Sequence, residues 1–205
     1  MKKRLFLALG AGFILSLVSI SCGVNPGSPD EVAVLETSYG RIVIEFYTEE
    51  APHHVANFKK LAREGFFDGM KFHRSLVNKG IPIAIQSGNP NTIKGDPSTW
   101  EQGTSNLPTV KAEYSDKLHH VRGVVSAARK KDEPDSHTSQ FFICASNYLE
   151  WDGQYTIFGK VIDGMNVVDS IARAPVVKNT ERPVDPVTLT KVYITKKSEI
   201  QVETK

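Results

Sequence analysis

The chain reads Phe72-His73-Arg74, then Gln86-Ser87-Gly88-Asn89-Pro90, and later Ser139-Gln140-Phe141-Phe142-Ile143. These three stretches hold one arginine, two glutamines and several aromatic rings, without an acid/base pair, a nucleophile beside a base or a set of metal ligands. Guanidinium and amide groups act by donating and accepting hydrogen bonds. Any chemistry at these positions must therefore act through hydrogen bonds and an apolar surface.

The first residues are typical of an export signal. A positive head, Lys2-Lys3-Arg4, precedes an uncharged run from Leu5 to Ile20. This run is shorter than the about 20 apolar residues that a membrane-spanning helix needs, which favours cleavage over an uncleaved anchor. We therefore predict a signal peptide over residues 1–21 and an exported protein.

The residues around the expected cleavage point resemble a bacterial lipobox, in which the cysteine after the cut carries a lipid. Small residues precede Cys22, and Ser19 stands where the motif usually has Leu. Acyl chains hold a soluble domain at a membrane by burying methylene groups, each of which contributes about 0.8 kcal/mol. The resemblance predicts lipidation of Cys22 and a domain held at a bacterial cell membrane, facing the periplasm.

The charge balance argues against nucleic acid as a partner. The full chain has 25 basic and 23 acidic residues, and removal of the three signal cations leaves one more acidic than basic residue. Binding to nucleic acid through a basic face therefore loses support. No Gly-rich phosphate loop follows a strand and opens a helix, so nucleotide binding has no support either.

One globular domain is predicted after the signal. Residues 22–31 are rich in Gly, Pro, Ser and Asn and predict a flexible tether, residues 32–198 form the domain, and residues 199–205 form a frayed tail. With Cys22 acylated, only Cys144 remains, and one cysteine cannot form an intramolecular disulfide. Cys144 follows an apolar run, which predicts a small buried side chain without a function.

The apolar pattern predicts a mostly antiparallel β domain with two helices. Residues 32–47 alternate as a hairpin around Ser38-Tyr39-Gly40, and short β-rich runs recur as far as residue 194. Apolar residues at helical spacing predict a helix over about 52–64, with Pro52 in its first turn, and another near 165–172.

Five stretches in order carry a family resemblance. They are the three quoted above together with Gly123-Val124-Val125-Ser126-Ala127-Ala128 and Phe158-Gly159-Lys160-Val161. Together they resemble the cyclophilin family of peptidyl-prolyl isomerases. The resemblance implies a mainly β fold, a closed eight-stranded antiparallel barrel capped by two α-helices, with a substrate groove on its outer face. It further implies a monomeric enzyme without a cofactor or metal that acts on proline-containing polypeptides and assists the folding of exported proteins.

The resemblance also implies roles for individual residues. Arg74 is the essential cation, Gln86 a polar contact to the substrate, and Phe142 a wall of the proline pocket, so these three are the implied catalytic residues. The implied substrate-binding residues are Phe72, His73, Ile83, Ala84, Ala128, Arg129, Gln140, Trp151 and Tyr155. His73 receives only an auxiliary role, because isomerisation moves no proton.

Physical chemistry agrees with a role for Arg74. Rotation about an X-Pro bond breaks amide resonance, at a barrier of about 18 to 20 kcal/mol. As the bond twists, the proline nitrogen gains a lone pair, which an arginine N–H stabilises more than it stabilises the planar ground state. A hydrogen bond to a charged group contributes about 1.5 to 3 kcal/mol, so the pocket must supply the rest of the acceleration.

Several positions depart from the family pattern. Ile83 and Ala84 stand where the family often has larger side chains, which predicts weaker binding with the chemistry retained. Arg129 stands where many members carry Asn, and Tyr155 stands where some carry His. Between Arg74 and Gln86 the chain is longer than is common, which predicts a small insertion at about residues 75–80.

Two other readings remain open. The altered pocket would also fit a proline-peptide-binding chaperone module with little turnover. A metal-dependent hydrolase would draw on His53-His54, His119-His120 and His137. Adjacent histidines are expected to point to different faces of an element, and no carboxylate stands at the spacing of a zinc-protease helix, so solvated histidines are favoured.

Overall fold

The structure is a computed structural model, and it describes residues 24–100 and 106–200. The predicted signal peptide and Cys22 lie outside the described residues. The regular elements are β1 (Glu31–Thr37), β2 (Gly40–Phe46), α1 (Pro52–Arg63), β3 (Arg74–Asn78), β4 (Ile81–Ser87), α2 (Asn91–Lys94), β5 (Val124–Ala127), β6 (Phe141–Cys144), β7 (Ile157–Asp163), α3 (Met165–Ala172) and β8 (Leu189–Lys196).

The eight strands form one antiparallel sheet in the order β3-β4-β6-β5-β7-β2-β1-β8. This arrangement confirms the predicted mainly β fold with antiparallel pairing. The closed barrel is not confirmed, because β3 and β8 are the two ends of the strand order and the sheet is a curled, open one. A single bridge between Lys71 and Thr188 joins the segments beside these two ends.

The helices begin and end close to the predicted positions. Helix α1 starts with Pro52, whose fixed φ suits a first helical position, and its apolar side chains at helical spacing face the sheet. Helix α3 covers residues 165–172 as predicted. The described residues also contain the four-residue helix α2, which the prediction of two helices did not include.

The inner face of the curled sheet holds the main hydrophobic core. Aromatic rings from α1, from the turn after it and from two strands meet there, namely Phe58, Phe67, Phe141 and Phe158, with Phe58 and Phe67 ring centroids 4.9 Å apart. Burying a large apolar side chain contributes about 1.5 to 3 kcal/mol, so this cluster stabilises the helix against the sheet.

A carboxylate from a distant loop caps the first turn of α1. The backbone N–H groups of His53 and His54 donate to Oε1 and Oε2 of Glu113, each at 3.0 Å. The first N–H groups of a helix have no intrahelical partner, so Glu113 satisfies two of them. Burial opposes the charge on Glu113, but the hydrogen bonds from His54 and His53 prevail and lower its pKa to about 2.

Two further findings concern the cysteine and the membrane. Cys144 is fully buried in β6, as predicted, and burial raises its pKa to about 12.

Among residues 24–100 and 106–200, no helix has the length and apolar character needed to cross a bilayer.

Candidate active site

Strand register places the three implied catalytic residues in one line. Arg74 pairs with Gln86 across β3 and β4, Gln86 pairs with Phe142 across β4 and β6, and Phe142 pairs with Ser126 across β6 and β5. Directly opposed residues of antiparallel strands project to the same face of a sheet. The guanidinium, the amide and the phenyl ring therefore share one face, while their neighbours Ile85 and Ile143 belong to the inner core.

A chain of hydrogen bonds joins the cation to both amides. Arg74 donates from Nη1 to Oε1 of Gln86 at 2.9 Å, and Gln86 donates from Nε2 to Oε1 of Gln140 at 2.7 Å. Gln86 is 8% exposed, so its amide is held in place by these two partners. The chain fixes the side-chain orientation of Gln86, because an arginine can only donate.

Gly88 lets the end of β4 approach the segment that carries Gln140. Its φ is +88°, and a Cβ at this position would collide with the carbonyl oxygen of Ser139. The hydroxyl of Ser139 also donates to the Gly88 carbonyl at 2.8 Å. Glycine is therefore required here by both conformation and space.

A second partner of Arg74 was not predicted from the sequence. Arg74 donates from Nε to Oε2 of Glu181 at 2.9 Å, and Nη2 donates to the same oxygen. The backbone N–H of Ser75 donates to the carbonyl of Glu181 at 2.7 Å. Glu181 lies in the loop between α3 and β8, 107 residues after Arg74. No motif surrounds it in the sequence, so no local signal could have identified this contact.

An apolar cluster lies on the same face as Phe142. Trp151 and Tyr155 stand nearly edge-on to the Phe142 ring, with centroids at 5.0 and 5.4 Å. Ile83 and Ala84 of β4 belong to the same cluster, as do Ala128, Cys144 and Ile157. The structure thus brings Ile83, Ala84, Ala128, Trp151 and Tyr155 together around Phe142, as a binding pocket for an apolar ring requires.

Arg129 lies at the rim of this cluster. Its guanidinium is 4.9 Å from the centroid of the Tyr155 ring, and its Nε donates to the carbonyl of Gln154 at 2.9 Å. The side chain is therefore half-buried and lies against one side of the aromatic cluster.

Two of the implied substrate-binding residues lie elsewhere. Phe72 is fully buried in the inner core, because it precedes β3 and turns toward α1 and the sheet interior. His73 is 1% exposed, and among the described residues neither ring nitrogen has a hydrogen-bond partner. Burial lowers the pKa of His73 to about 4. Neither side chain can touch a substrate in this arrangement.

An Asp-His-Ser chain with a buried His and Ser lies next to Phe142 and was not predicted from the sequence. His120 lies 2.8 Å from Oδ1 of Asp152 through Nδ1 and 3.0 Å from the Ser126 hydroxyl through Nε2. These distances resemble a nucleophilic triad, but Ser126 and His120 are fully buried and Ser126 also lies 2.8 Å from the Thr156 carbonyl. A nucleophile needs access to its substrate, so this chain supports the ring of Phe142 rather than attacking a bond.

The adjacent histidines behave differently from the expectation. His53 and His54 both direct Nδ1 to Glu113, at 2.7 and 2.6 Å, and His119 and His120 both direct Nδ1 to Asp152. The expectation that neighbouring histidines point to different faces was wrong, because each pair lies in an irregular or helix-starting segment and shares one carboxylate. Among the described residues, no group of three or more such side chains is arranged to hold a metal ion.

Comparison with known proteins identifies the family to which this chain belongs. The family model of cyclophilin type peptidyl-prolyl cis-trans isomerases matches residues 32–194. The chain therefore belongs to the cyclophilin-type peptidyl-prolyl cis-trans isomerase family, and its activity is the cis-trans isomerisation of peptide bonds to proline.

Curated relatives and solved structures agree with this assignment. The chain is 36% identical over 180 residues to a probable peptidyl-prolyl cis-trans isomerase of Brucella abortus, covering 86% of this chain and 88% of the relative. It is 37% identical over 162 residues to the human peptidyl-prolyl cis-trans isomerase-like 3, covering 78% and 93% of the two chains. A crystal structure of a Cryptosporidium parvum cyclophilin type isomerase, obtained in the presence of the dipeptide Ala-Pro, matches with a TM-score of 0.68 and 28% identity, covering 80% and 99% of the two chains.

Proposed function

We propose that Arg74, Gln86 and Phe142 are the catalytic residues of this isomerase. The observation that supports the proposal is the cross-strand line from Arg74 through Gln86 to Phe142, which holds a cation and an apolar ring on one face of the sheet. An X-Pro bond that crosses this line has its proline ring against Phe142 and its nitrogen toward Arg74. A hydrogen-bond donor near the proline nitrogen and an apolar contact for the proline ring are sufficient for a reaction that forms no covalent bond to the enzyme.

Arg74 acts on the twisted amide. When the X-Pro bond rotates, its nitrogen loses conjugation and gains a lone pair that accepts a hydrogen bond from the guanidinium. The planar ground state has no such lone pair, so the interaction lowers the barrier and does not merely tighten binding. Gln86 holds Nη1 of Arg74 at 2.9 Å, and Gln140 in turn holds Gln86.

The apolar cluster holds the proline ring while the preceding carbonyl turns. A proline ring would pack against the cluster of Phe142, Trp151 and Tyr155, to which Ile83, Ala84 and Ala128 also belong, with Gln140 and Arg129 beside it. Fixing one side of the rotating bond and excluding water from it lowers the cost of reaching the twisted geometry. That a relative was crystallised in the presence of Ala-Pro supports proline-containing polypeptides as the ligands of this chain.

The decisive experiment compares two arginine variants. Arg74→Ala is expected to lower kcat/KM on a proline-containing peptide by about tenfold to a hundredfold, the value of one lost hydrogen bond to a charged group. Arg41→Ala is the matched control, since Arg41 is about as exposed as Arg74 and also pairs with a carboxylate, Asp163 at 2.9 Å. Full activity in a folded Arg74→Ala protein would refute the mechanism.

A binding module with little turnover remains the competing candidate. It would use the same apolar cluster to hold proline-containing chains. Ala84 stands where the family often has a larger side chain, and the resulting loss of apolar contact with the proline ring favours this second candidate. Exchange spectroscopy by NMR separates the two, because a module broadens or shifts the peptide signals without accelerating cis-trans exchange. The isomerase accelerates exchange at substoichiometric protein.

We further propose that the protein is an exported lipoprotein that assists folding in the periplasm, with a tether to residue 31, a monomeric domain over 32–198 and a tail. The positive head, the apolar run and Cys22 support a signal peptide over residues 1–21 and lipid on Cys22. Mass spectrometry of the membrane fraction would detect diacylglyceryl on Cys22. Cys22→Ala is expected to remove the added mass and to release the protein from membranes, and retention of Cys22→Ala at the membrane would refute the anchor.

We also propose that the sheet closes into a barrel in solution. Two hydrogen bonds beside the Lys71–Thr188 bridge support this idea, from Phe72 N–H to the Val187 carbonyl at 2.9 Å and from Leu189 N–H to the Met70 carbonyl at 2.7 Å. Hydrogen exchange tests closure. If the barrel is closed, the amides of Phe72 and Leu189 are protected as strongly as those in β4 and β6.

A further inference from the structure

Arg74 contacts Glu181 in the loop between α3 and β8, and the proposed catalytic role of Arg74, Gln86 and Phe142 does not explain this contact. The guanidinium donates from Nε at 2.9 Å and from Nη2 to Oε2 of Glu181, while Nη1 donates to Gln86 on its other side. Three of the five N–H groups of Arg74 are therefore held by described residues, and two remain for a substrate. The carboxylate and the amide grip the planar guanidinium from two edges.

The conformation of the loop that carries Glu181 places this residue beside Arg74. Between residues 175 and 184 the chain forms a small hairpin, with a bridge between Val176 and Pro183 and a hydrogen bond from Val177 N–H to the Arg182 carbonyl at 2.8 Å. The Glu181 carbonyl accepts from Ser75 N–H at 2.7 Å, which docks the hairpin on the edge of β3 beside Arg74. Backbone and side chain of Glu181 thus fasten the loop at the same point.

We propose that Glu181 is a positioning residue for the isomerisation. An arginine side chain has many rotamers, and one that must meet a developing lone pair loses rate if it samples the wrong ones. Glu181 holds the edge formed by Nε and Nη2, while one N–H of Nη1 and one of Nη2 remain for the substrate. This inference rests on the proposed role of Arg74 and adds the residue that orients it.

The geometry favours positioning over inhibition. A carboxylate that blocked the site would have to cover the N–H groups facing the substrate or fill the space over Phe142. Glu181 instead contacts the edge opposite the Gln86 contact, and its side chain is 44% exposed, so solvent weakens its neutralising effect on the cation. The effect of Glu181 is therefore mainly geometric.

The test measures kcat and KM separately in three variants. Glu181→Gln is expected to lower kcat by about threefold to tenfold with KM within twofold, because orientation is lost while the proline pocket is intact. Glu181→Asp keeps the charge on a shorter side chain and is expected to fall between wild type and Glu181→Gln. Asp185→Asn is the control, because Asp185 is an exposed carboxylate of the same loop.

A spectroscopic readout separates positioning from a general loss of structure. The Nε–Hε signal of Arg74, identified by its absence in Arg74→Ala, is expected to shift and to exchange faster with water in Glu181→Gln but not in Asp185→Asn. A lower kcat with an unchanged Arg74 signal would overturn the inference, as would a kcat for Glu181→Gln that equals or exceeds that of wild type. If Arg74→Ala itself is fully active, the proposed role of Arg74 has failed instead.

Discussion

Arg74 and Gln86 are opposite each other in the β3–β4 ladder, and their side chains are joined by a hydrogen bond of 2.9 Å from Nη1 to Oε1. Backbone pairing therefore sets the spacing of the two groups, and the side-chain bond sets their orientation. Because Gln86 also donates to Gln140 at 2.7 Å, the amide cannot rotate without breaking two contacts. Strand register, rather than a mobile loop, fixes one edge of the guanidinium.

Gln86→Ala is accordingly expected to lower kcat by about tenfold, because it removes one of the two described partners of Arg74 and the hydrogen bond to Gln140. The free energy of unfolding is expected to fall by about 1 kcal/mol, since the amide is buried. Steady-state kinetics and chemical denaturation measure the two effects. Asn166→Ala removes an exposed side-chain amide on α3 and should change neither. A Gln86→Ala protein with wild-type kcat would show that the bond does not orient Arg74.

Trp151 is the large side chain that covers Phe142, with ring centroids 5.0 Å apart at 71°. Trp151→Ala is expected to raise KM by about tenfold with a smaller change in kcat, because it removes apolar contact that is present in both the ground state and the transition state. Peptide titration in a Trp100→Phe background, which leaves Trp151 as the sole tryptophan, should report binding through its fluorescence. A large fall in kcat with unchanged KM would instead assign Trp151 to the chemical step.

The alignment of Arg74, Gln86 and Phe142 could be predicted from the sequence for a physical reason. Arg74 and Gln86 lie only 12 residues apart and belong to one hairpin, so their stretches are local and recognisable. The pocket residues Trp151 and Tyr155 likewise follow β6 within a short loop. Helix α1 was predictable because its apolar residues recur at helical spacing. The strands were predictable because each is a short apolar run bounded by turn residues, although strands such as β5 and β6 bury both faces.

The contacts that the sequence did not reveal are formed by distant or irregular segments. Glu181 reaches Arg74 across 107 residues from a loop without periodicity. The Asp152–His120–Ser126 chain joins three separate loops and strands, and spacing alone gives no sign of it. Phe72 was expected at the substrate because it belongs to the same stretch as Arg74. Closeness in sequence does not decide to which face of the sheet a side chain points just before a strand begins.

Buried neutral histidines predict how stability depends on pH. Burial lowers the pKa of His73 to about 4 and that of His137 to about 3, whereas an unfolded histidine titrates near about 6.5. Below about pH 6.5 the unfolded chain binds more protons than the folded one, so the free energy of unfolding falls as the pH is lowered from about 6.5 toward 4. For His73 the loss amounts to at most about 3 kcal/mol.

His73→Phe tests this dependence. The ring nitrogens of His73 have no partner among the described residues, so an apolar ring is expected to be tolerated at neutral pH. Chemical denaturation at pH 7.5 and pH 5 should show a smaller loss of stability in the variant than in wild type. Equal losses would mean that His73 is not buried and neutral in the folded protein.

Lys59 is among the largest fully buried side chains of the described residues, and it lies on the side of α1 that meets the start of the domain. Its Nζ contacts a Glu31 carboxylate oxygen at 3.1 Å, donates to the Ser28 carbonyl at 3.0 Å and lies 4.9 Å from the Phe46 ring centroid. Burial lowers the pKa of Lys59, while the contact with Glu31 opposes this shift. The lysine thus fastens the chain just before β1 to helix α1.

Lys59→Ala is expected to lower the free energy of unfolding by about 2 to 3 kcal/mol, because it opens a cavity beside Phe46 and removes the contacts of Nζ with Glu31 and Ser28. Glu31 keeps its ion pair with Arg63, so its carboxylate is not left alone. Lys60→Ala, at the next and exposed position of the same helix, should change it by less than about 0.5 kcal/mol. The kcat of Lys59→Ala is expected to stay at the wild-type value under conditions in which the protein is folded. Lys59 has no described contact with Arg74, Gln86 or the apolar cluster around Phe142. Limited proteolysis should cut the variant near residue 28 faster than wild type, and equal cutting and equal stability in the two lysine variants would show that the buried pair does not hold this segment.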